Sequence, residues 1–328
     1  MSARYKRALD EEIAALLMPG QDFHWLISDI NELGGDRYSI DIQLREDNSL
    51  MYYHGTTRLL RLDLKKTGSG IRAKASAAPT YTEHEGSKRQ YDAFKQTLTT
   101  PRGDQARRSF KEYLKAAASS ANARYYANHK EGWWQNRLCI EHGLEWTPSS
   151  PWLVVDRECV IGFDGKAEKK EFYEQVLGKY EKIQNDLQRS DVEKWGRIGK
   201  GLGDELDILA LDRNGNLIAV ELKYGGSAKG VYWGPLQVGA YRDAFELVMK
   251  DVSSDILRLA RQKIQLRLLP ESALEILPTK GFQKVRAVLA VGTPNTKSSC
   301  WDKLDEVTGK LISSGAIVDR QEVVRLIP

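Results

Sequence analysis

The stretch GDELDILALDRNGNLIAVELKYGG, residues 203–226, contains two apolar runs that flank Arg213-Asn214-Gly215. Two short apolar runs joined by so few polar residues predict a β-hairpin. A three-residue hairpin loop requires a left-handed residue at its last position, and glycine adopts that conformation without steric cost. Because Gly215 stands at that position, we predict a hairpin with a three-residue loop.

The loop length decides which side chains share a face of this hairpin. With three loop residues, Asp207 lies opposite Glu221, and Lys223 points to the same face because side chains alternate along a strand. A two-residue Asn-Gly loop would instead place Asp207 opposite Leu222 and separate the charges. The sequence therefore predicts two carboxylates and one ammonium together only if the longer loop forms.

These charged side chains interrupt a hairpin whose two faces are otherwise apolar, which indicates a sheet covered on both sides. Desolvated carboxylates are costly unless they have a partner. Carboxylate oxygens suit Mg²⁺, with Mn²⁺ as a substitute, and Mg²⁺ usually takes one or two carboxylates from a protein. We expect Asp207 and Glu221 to hold Mg²⁺, which would lower the pKa of a water, while Lys223 orients or deprotonates that water or stabilises charge.

The rest of the chain alternates between strand and helix patterns, which predicts an α/β protein. We expect helices at about 4–17, 131–142, 168–188, 235–249, 254–269 and 299–313, with a helical, basic region at 87–127. We expect strands at 37–44, 50–54, 59–64, 152–155, 284–292 and near the end of the chain, the last one ending near residue 327. We place a boundary near residue 128, so that 1–128 form an N-terminal α+β recognition or partner-binding region and 129–328 hold the hairpin.

Composition narrows the class of protein. The 328 residues are 41% hydrophobic and 29% charged, which is ordinary for a globular protein of two domains or of one domain with large additions. Since no run reaches the roughly 18 apolar residues of a membrane span and no signal peptide is visible, we expect a cytoplasmic protein with no membrane contact. The three cysteines are widely spaced, which favours reduced packing residues over disulfides or zinc.

Charge is unevenly distributed along the chain. The net charge is +4, yet residues 58–115 hold fourteen Lys and Arg against six Asp and Glu, a local excess of +8. Such a stretch suits a polyanion such as DNA, and we take Arg107, Arg108 and Lys111 as candidate nucleic-acid-binding residues. A solvated basic surface without a ligand is the alternative.

The order Asp207, then Glu221-Leu222-Lys223 on the next strand, resembles the PD-(D/E)XK nuclease superfamily. Gln237-Val-Gly-Ala-Tyr241 on the following helix is similar to the RecB-like branch, and the resemblance covers roughly residues 130–295. The sequence departs from the family pattern at position 206, where Leu206 stands in place of the usual Pro. The resemblance implies a restriction-endonuclease-like mixed sheet flanked by helices and metal-dependent hydrolysis of DNA, with Gln237 and Tyr241 also in the active site.

The resemblance also implies a Glu on a helix before the sheet. Glu131 is the first candidate for this further metal ligand and Glu174 the second, and an ordinary solvated helix residue is an equally good interpretation of each. Asp204 could bind metal in place of Asp207, although it precedes the strand.

Many such nucleases act in phage defence, restriction or repair, and we expect one of these roles, with a homo-oligomer or a defence-system protein as partner. Two rivals are a nucleic-acid-binding protein without catalysis on the same fold, and an unrelated protein whose hairpin charges form surface ion pairs. Cleavage mode and the sequence recognised stay open. Three aromatic pairs could stack on unpaired bases or pack in the core: Tyr125-Tyr126, Trp133-Trp134 and Tyr232-Trp233.

Overall fold

The structure, a computed structural model, describes residues 2–33, 40–68, 70–82, 85–97, 103–121, 130–196, 202 and 205–327. The chain divides into two compact units. Unit 1 comprises Met1–Tyr5, Val154–Ser254 and Pro278–Pro328, and unit 2 comprises Lys6–Leu153 and Asp255–Leu277. The boundary that we predict near residue 128 lies outside the described residues.

Unit 2 contains an antiparallel sheet with strands in the order of the chain. Its strands are β1 (Asp41–Arg45), β2 (Ser49–His54), β3 (Thr57–Thr67) and β4 (Gly70–Ser76). Its α-helices are α1 (Glu11–Leu17), α2 (Trp25–Ser28), α3 (Pro79–Thr82), α4 (Glu85–Thr97), α5 (Asp104–Ala121) and α6 (Glu131–Cys139). It also contains 3₁₀ turns at Asp29–Glu32 and Glu271–Ile276 and a π-helical turn at Ile140–Leu144.

An aromatic core holds α5 on this sheet. The ring of Phe110 lies 5.3 Å from those of Trp25 and Tyr52 and 5.6 Å from that of Phe94. The Tyr113 hydroxyl donates to the Leu59 carbonyl at 2.8 Å, so α5 is also fixed to β3 through the backbone. The buried, alternating leucines of β3 confirm the strand expected at 59–64.

Two expectations for the N-terminal part are wrong. The helix expected at 4–17 begins only at Glu11, because Arg4 forms a two-way backbone pair with Gly162 at 3.0 and 2.9 Å. Strand β4 was not expected, since its apolar side consists of Ile71 and small alanines that give little alternation in hydrophobicity.

Unit 1 contains a mixed sheet in the order β5-β6-β7-β8-β9. Its elements are β5 (Leu153–Cys159), α7 (Lys166–Ser190), α8 (Val192–Trp195), β6 (Leu206–Leu211), β7 (Leu217–Tyr224), α9 (Ala228–Gln265), β8 (Val285–Gly292), α10 (Cys300–Ser313) and β9 (Glu322–Leu326). The part of α9 from Asp255 onward belongs to unit 2. Strands β6 and β7 are antiparallel, whereas the β7/β8 and β8/β9 pairs are parallel and are connected through α9 and α10. The α/β class is confirmed.

Helix α9 corrects the expectation of two helices at 235–249 and 254–269. It is one helix of 38 residues with Pro235 inside it. Ser253 lies where a break was expected, but its hydroxyl donates to the Met249 carbonyl at 2.5 Å, as serine can within a helix. The neighbouring Val252 is fully buried, so packing favours the continuous helix.

A hydrophobic core in unit 1 joins α7, α9 and α10 to one face of the sheet. Leu289 and Val291 of β8 pack there with Tyr180, Trp195 and Val231. Glu221 is paired in register with Leu289 and Lys223 with Val291, so the predicted site lies on the face that carries this core.

The described aromatic pairs belong to packed interiors. Tyr232-Trp233 lies in the unit 1 core, and Trp133-Trp134 in unit 2 is also buried, which supports packing over base stacking for both pairs. Tyr125-Tyr126 lies outside the described residues. Within the residues that the structure describes, no helix combines the length and the apolar character needed to cross a membrane.

A candidate carboxylate site on the β6–β7 hairpin

The β6–β7 loop has the predicted length. The strand register runs from Ile208 opposite Val220 to Leu211 opposite Leu217, and the Asp212 amide donates to the Asn216 carbonyl at 3.0 Å. Gly215 has a φ of 71°, the left-handed conformation that the loop requires. The three-residue loop is confirmed, and the same register continued by one pair places Asp207 opposite Glu221.

Asp212 stabilises the loop through its buried carboxylate. One oxygen accepts hydrogen bonds from the backbone amides of Asn214 and Asn216, each at 2.9 Å. The other accepts from Arg286 at 3.1 Å. Burial alone would raise the pKa of Asp212, but the hydrogen bonds from Asn216 and Arg286 hold it below the ordinary value of 3.8. This carboxylate has a complete set of protein partners.

The opposite end of the hairpin brings Asp207, Glu221 and Lys223 together. Asp207 Oδ2 accepts a hydrogen bond from the Leu222 amide at 2.8 Å. Lys223 Nζ donates to Glu221 Oε1 at 2.5 Å, and the Glu221 side chain is only 3% exposed. The neighbouring Glu221 side chain also acts on the pKa of Asp207 and lowers it.

Two adjacent carboxylates repel each other when both are ionised, and a shared proton or a cation relieves that repulsion. Burial raises the pKa of Asp207 above 3.8, while Lys223, the Leu222 amide and Arg157 act in the opposite direction. The net effect is a raised pKa, so the protein does not fully compensate a negative charge at Asp207. A cation that replaced the shared proton would supply that compensation.

The donor set fits Mg²⁺ in chemistry and in number. Asp207 and Glu221 offer carboxylate oxygens, and Mg²⁺ usually needs only one or two protein carboxylates because it keeps several waters. No group of three or more His, Cys, Asp or Glu side chains suited to a metal ion occurs among the residues that the structure describes. Asp204, the alternative ligand, lies outside those residues.

Helix α9 holds the chain just before β6. Gln237 Nε2 and the Tyr241 hydroxyl both donate to the Leu202 carbonyl, at 3.3 and 3.2 Å. Burial and the negative charges of Glu221 and Asp207 raise the pKa of Tyr241, so its hydroxyl keeps its proton. Through these contacts, Gln237 and Tyr241 fix the position of Leu202, which precedes β6 and Asp207 in the chain.

The first turn of α9 also passes close to Lys223. A Cβ atom added at Gly230 would lie 3.3 Å from Lys223 Cδ, so the helix limits the space around the lysine stem. The ammonium group is thereby confined beside Glu221.

Sequence reasoning missed Arg157 and Tyr173. Arg157 is fully buried in β5, and its charge lowers the pKa of Asp207. Tyr173 of α7 raises the pKa of Tyr241 through its own charge when ionised. The sequence does contain an indication of a role for Arg157. Asp156 and Arg157 interrupt the apolar run of β5, and a charge buried in such a run needs a partner.

The two candidates for the upstream Glu lie in different units. Glu131 begins α6 in unit 2 and is partly buried. Glu174 lies on α7 in unit 1, is 67% exposed and pairs with Lys170 at 3.6 Å, which fits a solvated helix residue. Metal binding by Glu131 stays a prediction.

Two of the three candidate DNA-binding residues have a partner within unit 2. Arg107 binds both oxygens of the fully buried Asp29, each at 2.5 Å, and Lys111 lies 3.7 Å from the same carboxylate. Arg108 is exposed. Contact of these residues with DNA stays a prediction, but Arg107 and Lys111 already stabilise a buried charge.

Comparison of the chain with protein-family models, with curated proteins and with solved structures finds no match.

Proposed function

We propose that this protein is a metal-dependent nuclease that hydrolyses phosphodiester bonds of DNA. The observation that carries the proposal is the pair of adjacent carboxyl groups, Asp207 and Glu221, with Lys223 bound to Glu221 at 2.5 Å. The arrangement follows from a confirmed register on a mixed sheet, which supports the resemblance to PD-(D/E)XK nucleases.

The raised pKa of Asp207 favours a metal site over a structural ion pair. In a structural pair, each charge would be compensated by its partner, and the carboxyl pKa would fall. Asp207 instead keeps a raised pKa although Lys223 and Arg157 are close. A site that holds two carboxyl groups together against their repulsion is suited to a divalent cation.

Each residue of the candidate site would have a separate role in the reaction. Asp207 and Glu221 would hold Mg²⁺ or Mn²⁺, which when bound supplies a water of lowered pKa and stabilises charge on the phosphate. Lys223 would orient the attacking water or donate to a phosphoryl oxygen as negative charge develops there. Gln237 and Tyr241 would keep the Leu202 segment, and therefore Asp207, in position.

The rival function is nucleic-acid binding without cleavage. The 2.5 Å contact between Lys223 and Glu221 favours it, because the ammonium already compensates one carboxylate without a metal ion. Only a nuclease would cleave DNA into products when metal is present, so a cleavage assay distinguishes the two functions.

The test is incubation of the full chain with linear, circular and single-stranded DNA, each with Mg²⁺, with Mn²⁺ and with chelator. The proposal predicts products with either metal and none with chelator. The pattern across substrates separates an endonuclease, which opens circles, from an exonuclease, which needs ends. Binding of DNA with no product under any metal condition would favour the rival.

A role in phage defence, restriction or repair follows only if cleavage is found. Such a role would suit a homo-oligomer or a complex with another defence-system protein, and both remain parts of the proposal.

A further inference from the structure

The β3–β4 hairpin of unit 2 has one apolar and one basic face. Leu60, Leu62 and Leu64 are buried, whereas the alternate residues of β3 face outward. On β4, Arg72 and Lys74 are exposed and alternate with buried Ile71 and Ala73. We call the outward basic residues the strand strip, which consists of Arg61, Lys65, Arg72 and Lys74.

Two members of the strand strip are placed directly opposite each other. Lys65 is the register partner of Arg72, and like charges opposed across two strands destabilise the pair. Neither side chain forms an ion pair with any residue that the structure describes. The neighbouring positions differ, because Asp63 faces Lys74 across the strands and binds Arg61 at 2.5 Å.

On the opposite face of the same hairpin, a lysine has its charge compensated by a carboxylate. Lys66 follows Lys65 in β3 and bonds Glu12 at 3.0 Å. The uncompensated charge is thus confined to the outward face, where solvent or a partner must balance it.

Two basic residues of α5 are less available to a ligand. Arg107 and Lys111 of α5 bind the buried Asp29, and releasing them would leave that carboxylate without compensation. Lys65 and Arg72 are exposed and compensate no buried carboxylate, so a ligand can bind them without that cost.

We propose that the strand strip contacts the phosphate backbone of duplex DNA, an inference that rests on the proposed nuclease function. Alternate residues of a strand are separated by about 6.8 Å, which matches about two base steps of the duplex. We assign Lys65 and Arg72 to phosphate oxygens and not to base edges, so the contact positions the substrate and carries no sequence preference. Phosphate oxygens relieve the repulsion between the two cations.

The test measures binding of the full chain to a duplex DNA of defined length, with chelator present, over a range of salt concentrations. Lys65→Gln/Arg72→Gln should weaken binding by about tenfold or more near physiological salt and reduce the slope of log affinity against log salt by about 1.8. The comparator is Lys95→Gln/Lys115→Gln, which removes one exposed cation from α4 and one from α5 and changes the net charge equally. Its effect should be smaller.

Arg72→Glu separates a binding role from a structural one. The substitution places opposite charges across the strands, so the melting temperature should stay the same or rise while DNA binding falls further. A residue that serves only the fold would not lose binding while gaining stability.

Four results would overturn the inference. Unchanged affinity and slope in Lys65→Gln/Arg72→Gln, or a loss as large in the Lys95→Gln/Lys115→Gln comparator, would remove the strand strip from the DNA interface and leave the proposed nuclease intact if cleavage persists. Loss of binding to phosphatidylserine vesicles but not to DNA would assign the strip to membranes. Neither binding nor cleavage of DNA by the unaltered protein would end both proposals.

Discussion

The two ends of the β6–β7 hairpin carry aspartates in opposite situations. At the loop end, Asp212 accepts hydrogen bonds from two backbone amides and from Arg286, and its pKa lies below 3.8. At the open end, Asp207 lies beside the carboxyl group of Glu221, and burial raises its pKa. The same two strands hold both residues, so the difference arises from the partners that each carboxylate meets.

The comparison separates a structural carboxylate from a candidate functional one. Asp212 needs nothing beyond the protein, because its partners stabilise the ionised form. Asp207 and Glu221 repel each other when both are ionised and require a proton or a cation. A pair of this kind at the end of an apolar hairpin is therefore the better candidate for metal chemistry.

The largest expected effect is at the open end. Asp207→Asn should reduce DNA cleavage to the level of the chelator control, because it removes a metal ligand. The same change should leave the melting temperature unchanged or higher, since asparagine resembles the protonated acid that burial favours. Cleavage assays and thermal unfolding of the same preparation check both outcomes, and a large loss of stability would make Asp207 a structural residue like Asp212.

The next effect concerns the lysine. Lys223→Ala should slow the chemical step by at least ~100-fold, the usual range for losing an acid–base or electrostatic group. Single-turnover cleavage at saturating metal measures that step. Metal titration should show that the ion still binds, because both carboxylates remain, and a full loss of metal binding would contradict the division of roles.

The two aspartates also predict opposite responses to pH. Asp207 has a raised pKa, so in the metal-free protein it loses stability as pH rises through that pKa, and metal affinity rises over the same range. Asp212 has a lowered pKa, so its stabilisation is present above 3.8 and is lost as pH falls through its folded pKa. Calorimetric titration of Mn²⁺ in buffers of different ionisation enthalpy should count about one released proton per ion on the acidic side, and no proton release in Asp207→Asn.

A smaller effect belongs to the loop end. Asp212→Asn should cost about 1–3 kcal/mol of unfolding free energy, because buried amides and Arg286 lose a charged acceptor. Cleavage by the folded variant should match the unaltered protein below its melting temperature. Denaturant unfolding measures the first quantity, and a specific loss of cleavage at full stability would erase the distinction between the two ends.

The smallest effect is expected at Gln237. Its bond to the Leu202 carbonyl is 3.3 Å long, and Tyr241 donates to the same oxygen at 3.2 Å, so Gln237→Ala removes one of two supports. Cleavage should fall by less than in Lys223→Ala. A steady-state comparison of the two variants tests the order, and an equal loss would place Gln237 among the residues that act on the substrate.

The hairpin could be predicted because its information is local. Gly215 and the apolar runs set the loop length, and the loop length sets the register that places Asp207 opposite Glu221. Helix and strand positions in unit 1 followed from periodicity in the same way, apart from the continuity of α9 through Ser253.

The parts that could not be predicted depend on contacts distant in sequence. Arg157 approaches Asp207 only because β5 lies beside β6, an order that no local pattern encodes. The contact between Arg107 and Asp29 could not be predicted either, because nothing in the sequence links two residues 78 positions apart. The resemblance to a nuclease family supplied the proposed chemistry, and the geometry supplied the reason to test it.

The most direct measurement compares plasmid cleavage by the unaltered protein and by the Glu221→Ala/Lys223→Ala double variant, purified in parallel and shown by circular dichroism to be folded. The account predicts cleavage by the unaltered protein with Mg²⁺, none with chelator, and none by the double variant, which should still bind DNA. Cleavage by the double variant at the unaltered rate would contradict the account, because the hairpin charges would then be structural and the active site would lie elsewhere.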